Sequence, residues 1–296
     1  MDIPIWILPV LGSALGLGFY DLCKKHAVQK NSVMPTLFYA TLCGSILFVL
    51  ITIVSGKWDT SFYCPMRHWV LILFKSILVS SSWTLVYYAM RELPISIASP
   101  IRASSPLWTF IASLIIFQEI PTFLQTIGII AIFGGYYLYT VFGKLEGFTF
   151  RSSKGMVMII VATLLGACSA LYDKYLLGVL HIPKETVQFW FSVDLVFVIG
   201  LGYAIRTFCF GSKHPFQWRW SIAATGILLI IADYLYFYAV SLPDAQISLI
   251  SLVRRCNCIV TFAVGVVLFK EINIKRKAAA LVLILAGVAI LVLAGK

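Results

Sequence analysis

Ten apolar runs, each long enough at about 20 residues to cross roughly 30 Å of hydrocarbon, follow one another almost to the C-terminus. Their bounds read Pro4 to Cys23, Met34 to Val54, Trp69 to Met90, Ile95 to Phe117, Thr122 to Phe142, Gly155 to Leu177, Thr186 to Ile205, Ser221 to Val240, Gln246 to Phe269 and Ala278 to Ala294. Lipid offers no water to satisfy an open β-edge, so each run must close its backbone hydrogen bonds within itself, as a helix. The expected class is an all-α membrane protein of about ten transmembrane helices. Composition agrees: 60% of the 296 residues are hydrophobic and 12% are charged, with a mean hydropathy of +0.95, far from the range of water-soluble domains.

The breaks between runs exclude several function classes. Lys57 with Trp58, the Lys144 to Lys154 segment and Lys213 to Trp220 mix cations with interfacial aromatics, as loops at a membrane surface do. They leave no room for a soluble domain. The first run lacks a basic leader and a small-residue cleavage site, so the chain is expected to insert by its own spans. The net charge of +11 is spread over these breaks rather than gathered in one patch, which favours topology signals over nucleic-acid contact. Cations concentrate in the odd-numbered connections, which by the positive-inside rule puts both termini outside. The seven cysteines lack zinc-site spacing and read as free thiols. His26, His68, His181 and His214 fall in or beside the breaks, and no hydrolytic triad or HExxH motif is present. No metal or cofactor is expected, and an enzyme is disfavoured.

A repeat organises the runs. Tyr20-Asp21 recurs as Tyr172-Asp173, Arg102 as Arg254, Thr109-Phe110 as Thr261-Phe262, and the Phe117-x-Glu119 ending as Phe269-x-Glu271; 173 − 21, 254 − 102 and 271 − 119 all equal 152. Tyr88-Ala89 with Leu93-Pro94 echoes Tyr238-Ala239 with Leu242-Pro243 at a slightly shorter offset. The division is residues 1–150 and 151–296, five helices each. An odd number of spans per copy turns the second copy upside down relative to the first, the inverted-repeat plan of many secondary transporters.

With its two five-helix units, the Tyr-Ala and Leu-Pro turn before each fourth helix, the acidic residues Glu119 and Glu271 closing those helices, and glycines Gly128, Gly134, Gly135 and Gly287 in the fifth, the chain resembles the EamA-type drug/metabolite transporter superfamily. The resemblance covers nearly the whole length. It implies a ten-helix carrier of the cell (inner) membrane, with a central cavity between the inverted repeats, lined by helices one, three, four, six, eight and nine. It also implies termini in the cytoplasm, against the charge count. The expected activity is secondary transport or exchange of a small polar metabolite by alternating access. A non-transporting scaffold or partner subunit of the same fold is the alternative.

An ionisable residue inside a span costs at least about 2.5 kcal/mol on insertion scales, so it needs a reason. Arg102 and Arg254 lie roughly 10–12 Å of helix rise into their spans, Asp21 sits near the exit of the first span, and Asp173 lies somewhat deeper in the sixth. One Asp/Arg pair per repeat, Asp21 with Arg102 and Asp173 with Arg254, is the expected gate or ligand set. The bland alternative is a set of ion pairs that hold helices in register. Arginine's planar fork suits carboxylate or phosphate, so an anionic or zwitterionic solute is the first guess. Trp83 with Tyr87 and Tyr234 with Tyr238 stand one helical turn apart and are the preferred pocket aromatics. Tyr20, Tyr88, Tyr172 and Tyr236 could line the pocket as well. Asp233 and Lys75 have no counterpart in the other repeat and are candidates for coupling, and Asp194 is similarly isolated. The glycines of spans one and ten fit close helix packing.

Overall fold

A computed structural model describes residues 4–28, 31–92, 102, 104–118, 120–144, 154–210, 215–243, 245–257, 260 and 274–294. These residues are helical or lie in short connections, with no strand among them. The helices are α1 (Ile7–Val28), α2 (Val33–Val54), α3 (Trp58–Phe62), α4 (Met66–Glu92), α5 (Ser105–Ile116), α6 (Phe123–Lys144), α7 (Lys154–Lys174), α8 (Lys184–Phe210), α9 (Trp220–Val240), α10 (Ile247–Arg254) and α11 (Ile274–Leu293). A π-helical turn, Tyr175–Val179, extends α7. Of the sequence motifs, Leu93-Pro94, Glu119, Thr261-Phe262 and the Phe269-x-Glu271 ending lie outside the described residues.

Among the described residues, six helices are long and apolar enough to cross a bilayer: Ile7–Val28, Val33–Val54, Met66–Ala89, Lys154–Val179, Lys184–Cys209 and Trp220–Val240. Large apolar side chains stand exposed on them, for example Leu8, Ile53, Val157 and Phe197. Outward hydrophobics of this density belong in lipid rather than water. The chain is an integral, multi-pass membrane protein.

Helix pairing fixes the interior. α1 packs on α9 and α10, α4 on α7 and α8, α2 on α8 and α9, α5 on α7 and α10, and α6 on α11. Small residues permit the closest crossings. At the α2/α9 crossing a Cβ on Gly226 would lie 1.9 Å from the Ala40 carbonyl oxygen, and one on Gly44 would lie 2.7 Å from the Gly226 oxygen. In the α6/α11 pair a Cβ on Gly287 would lie 2.7 Å from the Gly128 oxygen. The expectation of glycine-mediated packing in spans one and ten holds, since Gly16 abuts Ala232, and the tightest crossing is at Gly226. Gly226→Ala must pry α2 from α9, and we expect a loss of about 1–3 kcal/mol, measured as an earlier thermal unfolding midpoint in detergent.

Short clamps hold the helix ends. The Lys57-Trp58 segment is not a plain loop: it opens α3, in which Trp58 stacks on Phe62 with centroids 5.0 Å apart. α3 is fastened to α8 where Thr186 Oγ1 donates to the Thr60 carbonyl at 2.7 Å and Trp190 Nε1 donates to the Phe62 carbonyl at 3.2 Å. Another clamp joins the end of α1 to the start of α9. There Asn31 Nδ2 donates to the Gln217 carbonyl at 2.7 Å, Arg219 Nη1 to the His26 carbonyl at 2.7 Å, and His26 Nδ1 meets Ser221 Oγ at 2.9 Å.

Candidate functional site

Four charged side chains from four helices converge in the interior. α4 carries Lys75, the end of α7 carries Asp173, α9 carries Asp233 and the last turn of α10 carries Arg254. Lys75 forms an ion pair with Asp173, and Arg254 forms one with Asp233. Tyr236 joins the pairs: its side chain lies beside Asp173, and the Arg254 guanidinium lies over its ring, 4.1 Å from the centroid. Ser13 of α1 completes the set, accepting from Arg254 Nε at 3.1 Å while donating to the Ala232 carbonyl at 2.7 Å.

The energetics explain the pairing. A lone charge here would carry a desolvation penalty of several kcal/mol, whereas two cations facing two carboxylates cancel in net charge and satisfy each other's hydrogen-bonding capacity. Lys75 gains further from the rings of Phe191 and Phe237, whose centroids lie 4.1 Å and 4.0 Å from Nζ, in a cation–π contact strengthened by the absence of water. Exposure is graded along the network. The Lys75 side chain is 1% exposed and that of Asp173 6%, against 11% for Asp233 and 20% for Arg254. The Lys75–Asp173 pair is sealed, and the guanidinium is the most exposed of the four groups.

The expected partners are therefore exchanged. Asp173 binds Lys75, not Arg254, because α4 packs directly on α7 and brings the ammonium to the carboxylate. Arg254 finds Asp233 on α9. In the first repeat Asp21 and Arg102 form no ion pair. Asp21 instead accepts from Lys24 at 2.7 Å, one turn along the same helix, and from Asn257 Nδ2 at 2.8 Å. Lys24 lies over the Tyr20 ring at 4.4 Å, and Tyr87 and the half-buried Arg102 lie close to Tyr20. Asp21, Tyr87 and Arg102 thus share one neighbourhood around Tyr20, and Asp173, Lys75, Asp233 and Arg254 share another around Tyr236.

The remaining aromatics divide. Trp83 packs against the edge of the main core, whereas Tyr234 lies 6.4 Å from Phe48 and Tyr238 lies under Lys184 Nζ at 5.1 Å. Tyr234 and Tyr238 thus touch groups outside the network. Asp233 marks the polar face of α9, and the residues three and four positions on, Tyr236 and Phe237, share that face. That spacing was the available signal. Ser13, Asn257 and Phe191 carry no comparable mark in the sequence.

Cys64, half-buried between α3 and α4, has its thiol pushed up by burial and by the charge of Asp194. A raised thiol pKa lowers the thiolate fraction at neutral pH. We expect Cys64 to be alkylated by maleimide more slowly at pH 7 than a free thiol, and faster in an Asp194→Asn variant, as followed by mass spectrometry.

Residues 4–141, spanning α1 through most of α6, match the EamA-like transporter family. That stretch, a little under half of the chain, is similar to this family. What the stretch is similar to is, by its description, a family of transporters. No curated protein matches the chain in sequence. A crystal structure of another protein resembles it at a TM-score of 0.76 and 16% sequence identity, covering 98% of this chain and 96% of that one. At that identity the likeness is one of fold. It extends over the residues beyond 141, where the family match ends.

Proposed function

We propose that the chain is a secondary transporter of a small polar solute, anionic or zwitterionic, and that it works by alternating access between two inverted five-helix repeats, residues 1–150 and 151–296. Helix pairing supports the duplicated plan. Taking α1, α2, α4, α5 and α6 as the first unit and α7 to α11 as the second, exchange of the units turns the α1/α9 contact into α7/α4, α2/α9 into α8/α4 and α1/α10 into α7/α5. The pairs α2/α8, α5/α10 and α6/α11 map onto themselves. Main helix contacts that map onto one another when the halves are exchanged are what two related units around a pseudo-two-fold axis would produce.

The observation that carries the reading is the four-charge network at the junction of the units, with Ser13 and Lys75 from the first and Asp173, Asp233, Tyr236 and Arg254 from the second. Arg254 at its accessible end is the proposed ligand for the solute's anionic group, and the sealed Lys75–Asp173 pair is the proposed switch that repairs or separates as the halves move. Asp21, Arg102, Tyr87 and Trp83 are proposed to serve the opposite face. One observation favours the scaffold reading: both cations of the network are already neutralised, which suits fixed helix association. The two separate on counterflow in proteoliposomes. A transporter loaded with carboxylated, zwitterionic, cationic and neutral metabolites in turn accelerates labelled uptake with at least one class, saturably, and a scaffold does so with none.

A further inference from the structure

A depression of about 380 Å³ opens beside the α3/α8 clamp, lined by Cys64, Met66, Trp69 and Trp190. Two of the four lining residues are tryptophans braced by neighbouring rings. Trp69 and Trp190 meet edge to face with centroids 6.4 Å apart, and Trp190 is held by Phe62 and Phe189, each 5.6 Å away, and by its hydrogen bond to the Phe62 carbonyl. One helical turn beyond Trp190, on the same side of α8, lies Asp194, 4% exposed.

Asp194 forms no salt bridge among the described residues, and its Oδ2 has no hydrogen bond. The Trp69 indole N–H faces it at a geometry too poor to satisfy either group. The nearby cations Lys57 and Lys184 are engaged by Glu185. A buried carboxylate lacking a counter-charge, behind two indoles whose faces carry negative quadrupole density, attracts a cation. The wall chemistry narrows the class. A hard metal ion would want six or more oxygens, and the lining offers indole rings and the polarizable sulfurs of Met66 and Cys64.

We propose that this depression binds a substituted ammonium group, with Trp69 and Trp190 as the contact faces and Asp194 as the counter-charge. The site is separate from the Lys75–Asp173–Asp233–Arg254 network and does not depend on its role in transport. The same chemistry is offered by a free alkylammonium solute and by the trimethylammonium head of phosphatidylcholine.

The test is equilibrium binding of radiolabelled tetramethylammonium to the full chain in a maltoside detergent, which has no ammonium head, at constant ionic strength. Binding is expected to saturate, to resist competition by tert-butanol, a neutral molecule of similar shape, and to weaken about tenfold in both Asp194→Asn and Trp190→Leu. Monodisperse elution of each variant keeps the comparison valid. If binding is lost in nanodiscs of phosphatidylcholine but kept in those of phosphatidylglycerol, the lipid head is the occupant; equal binding in both assigns a free solute. No saturable binding, competition by tert-butanol as strong as by unlabelled tetramethylammonium, or undiminished binding by both variants overturns the proposal.

Discussion

Asp173→Ala is expected to lower the unfolding free energy by about 3–5 kcal/mol, because it leaves the Lys75 ammonium charged, buried and without a counter-ion. The Lys75 side chain is 1% exposed, so relief through solvent would require α4 and α7 to separate. Lys75→Met should cost less, since methionine fills a similar volume and the orphaned Asp173 side chain is more exposed than the orphaned Lys75. The double variant Lys75→Met/Asp173→Leu removes both charges and should recover most of the loss, as replacement of buried ion pairs by apolar residues of similar volume is often neutral or stabilising. Chemical denaturation or thermal unfolding in detergent, run as a double-mutant cycle, reads the coupling directly. Additive losses would show that the two side chains do not interact. A stable double variant that no longer transports would separate the pair's mechanical role from its structural one.

The cycle also bears on why such a pair is retained in a membrane interior. If an apolar substitute is as stable, stability does not explain Lys75 and Asp173, and a function that requires their separation does. The position supports that reasoning: Asp173 lies immediately before the π-helical turn at Tyr175–Val179, and Lys174 beside it donates to the Ala245 carbonyl in the break between α9 and α10. A shift of this segment would move the carboxylate and the start of α10 together. π-turns inside helices are frequently associated with functional sites.

Much of the architecture was legible because lipid removes alternatives. An apolar run of about 20 residues has one economical backbone solution, so helices were expected close to where six spans lie. The same logic marked Lys75, Asp173, Asp233 and Arg254, since charge inside a span stands out against its surroundings. Partner choice was not legible. Repeat symmetry suggested Asp173 with Arg254 and Asp21 with Arg102, but Lys75 and Asp233 have no repeat counterparts, and it is these unduplicated residues that capture Asp173 and Arg254. Symmetry locates equivalent positions; it says nothing of a closer counter-ion arriving from a third helix. The choice of Tyr234 and Tyr238 missed the network for a related reason. Tyr234 and Tyr238 satisfy the spacing of a shared face as well as any pair, and only the position of Asp233 tells which face of α9 looks inward.

Arg254→Ala is expected to reduce transport by about 100-fold or more, in line with the effect of truncating one member of a hydrogen-bonded charge pair. Its stability loss should be smaller than that of Asp173→Ala, because the orphaned Asp233 side chain is 11% exposed against 1% for the Lys75 orphaned in the other case. Arg254→Lys keeps the charge but loses the planar fork and much of the stacking on Tyr236, so recovery should be partial, with a deficit of about tenfold. Asp233→Asn decides the role. If Arg254 receives the solute's anionic group, Asp233 competes for it, and neutralising Asp233 should lower the apparent KM for an anionic or zwitterionic solute while slowing turnover, because release no longer has an internal replacement. If Arg254 only holds α10 against α9, the same variant should lower the unfolding midpoint and leave KM where it was. Initial-rate uptake in proteoliposomes alongside thermal unfolding distinguishes the two, and an unchanged KM with reduced stability would remove Arg254 from the solute site.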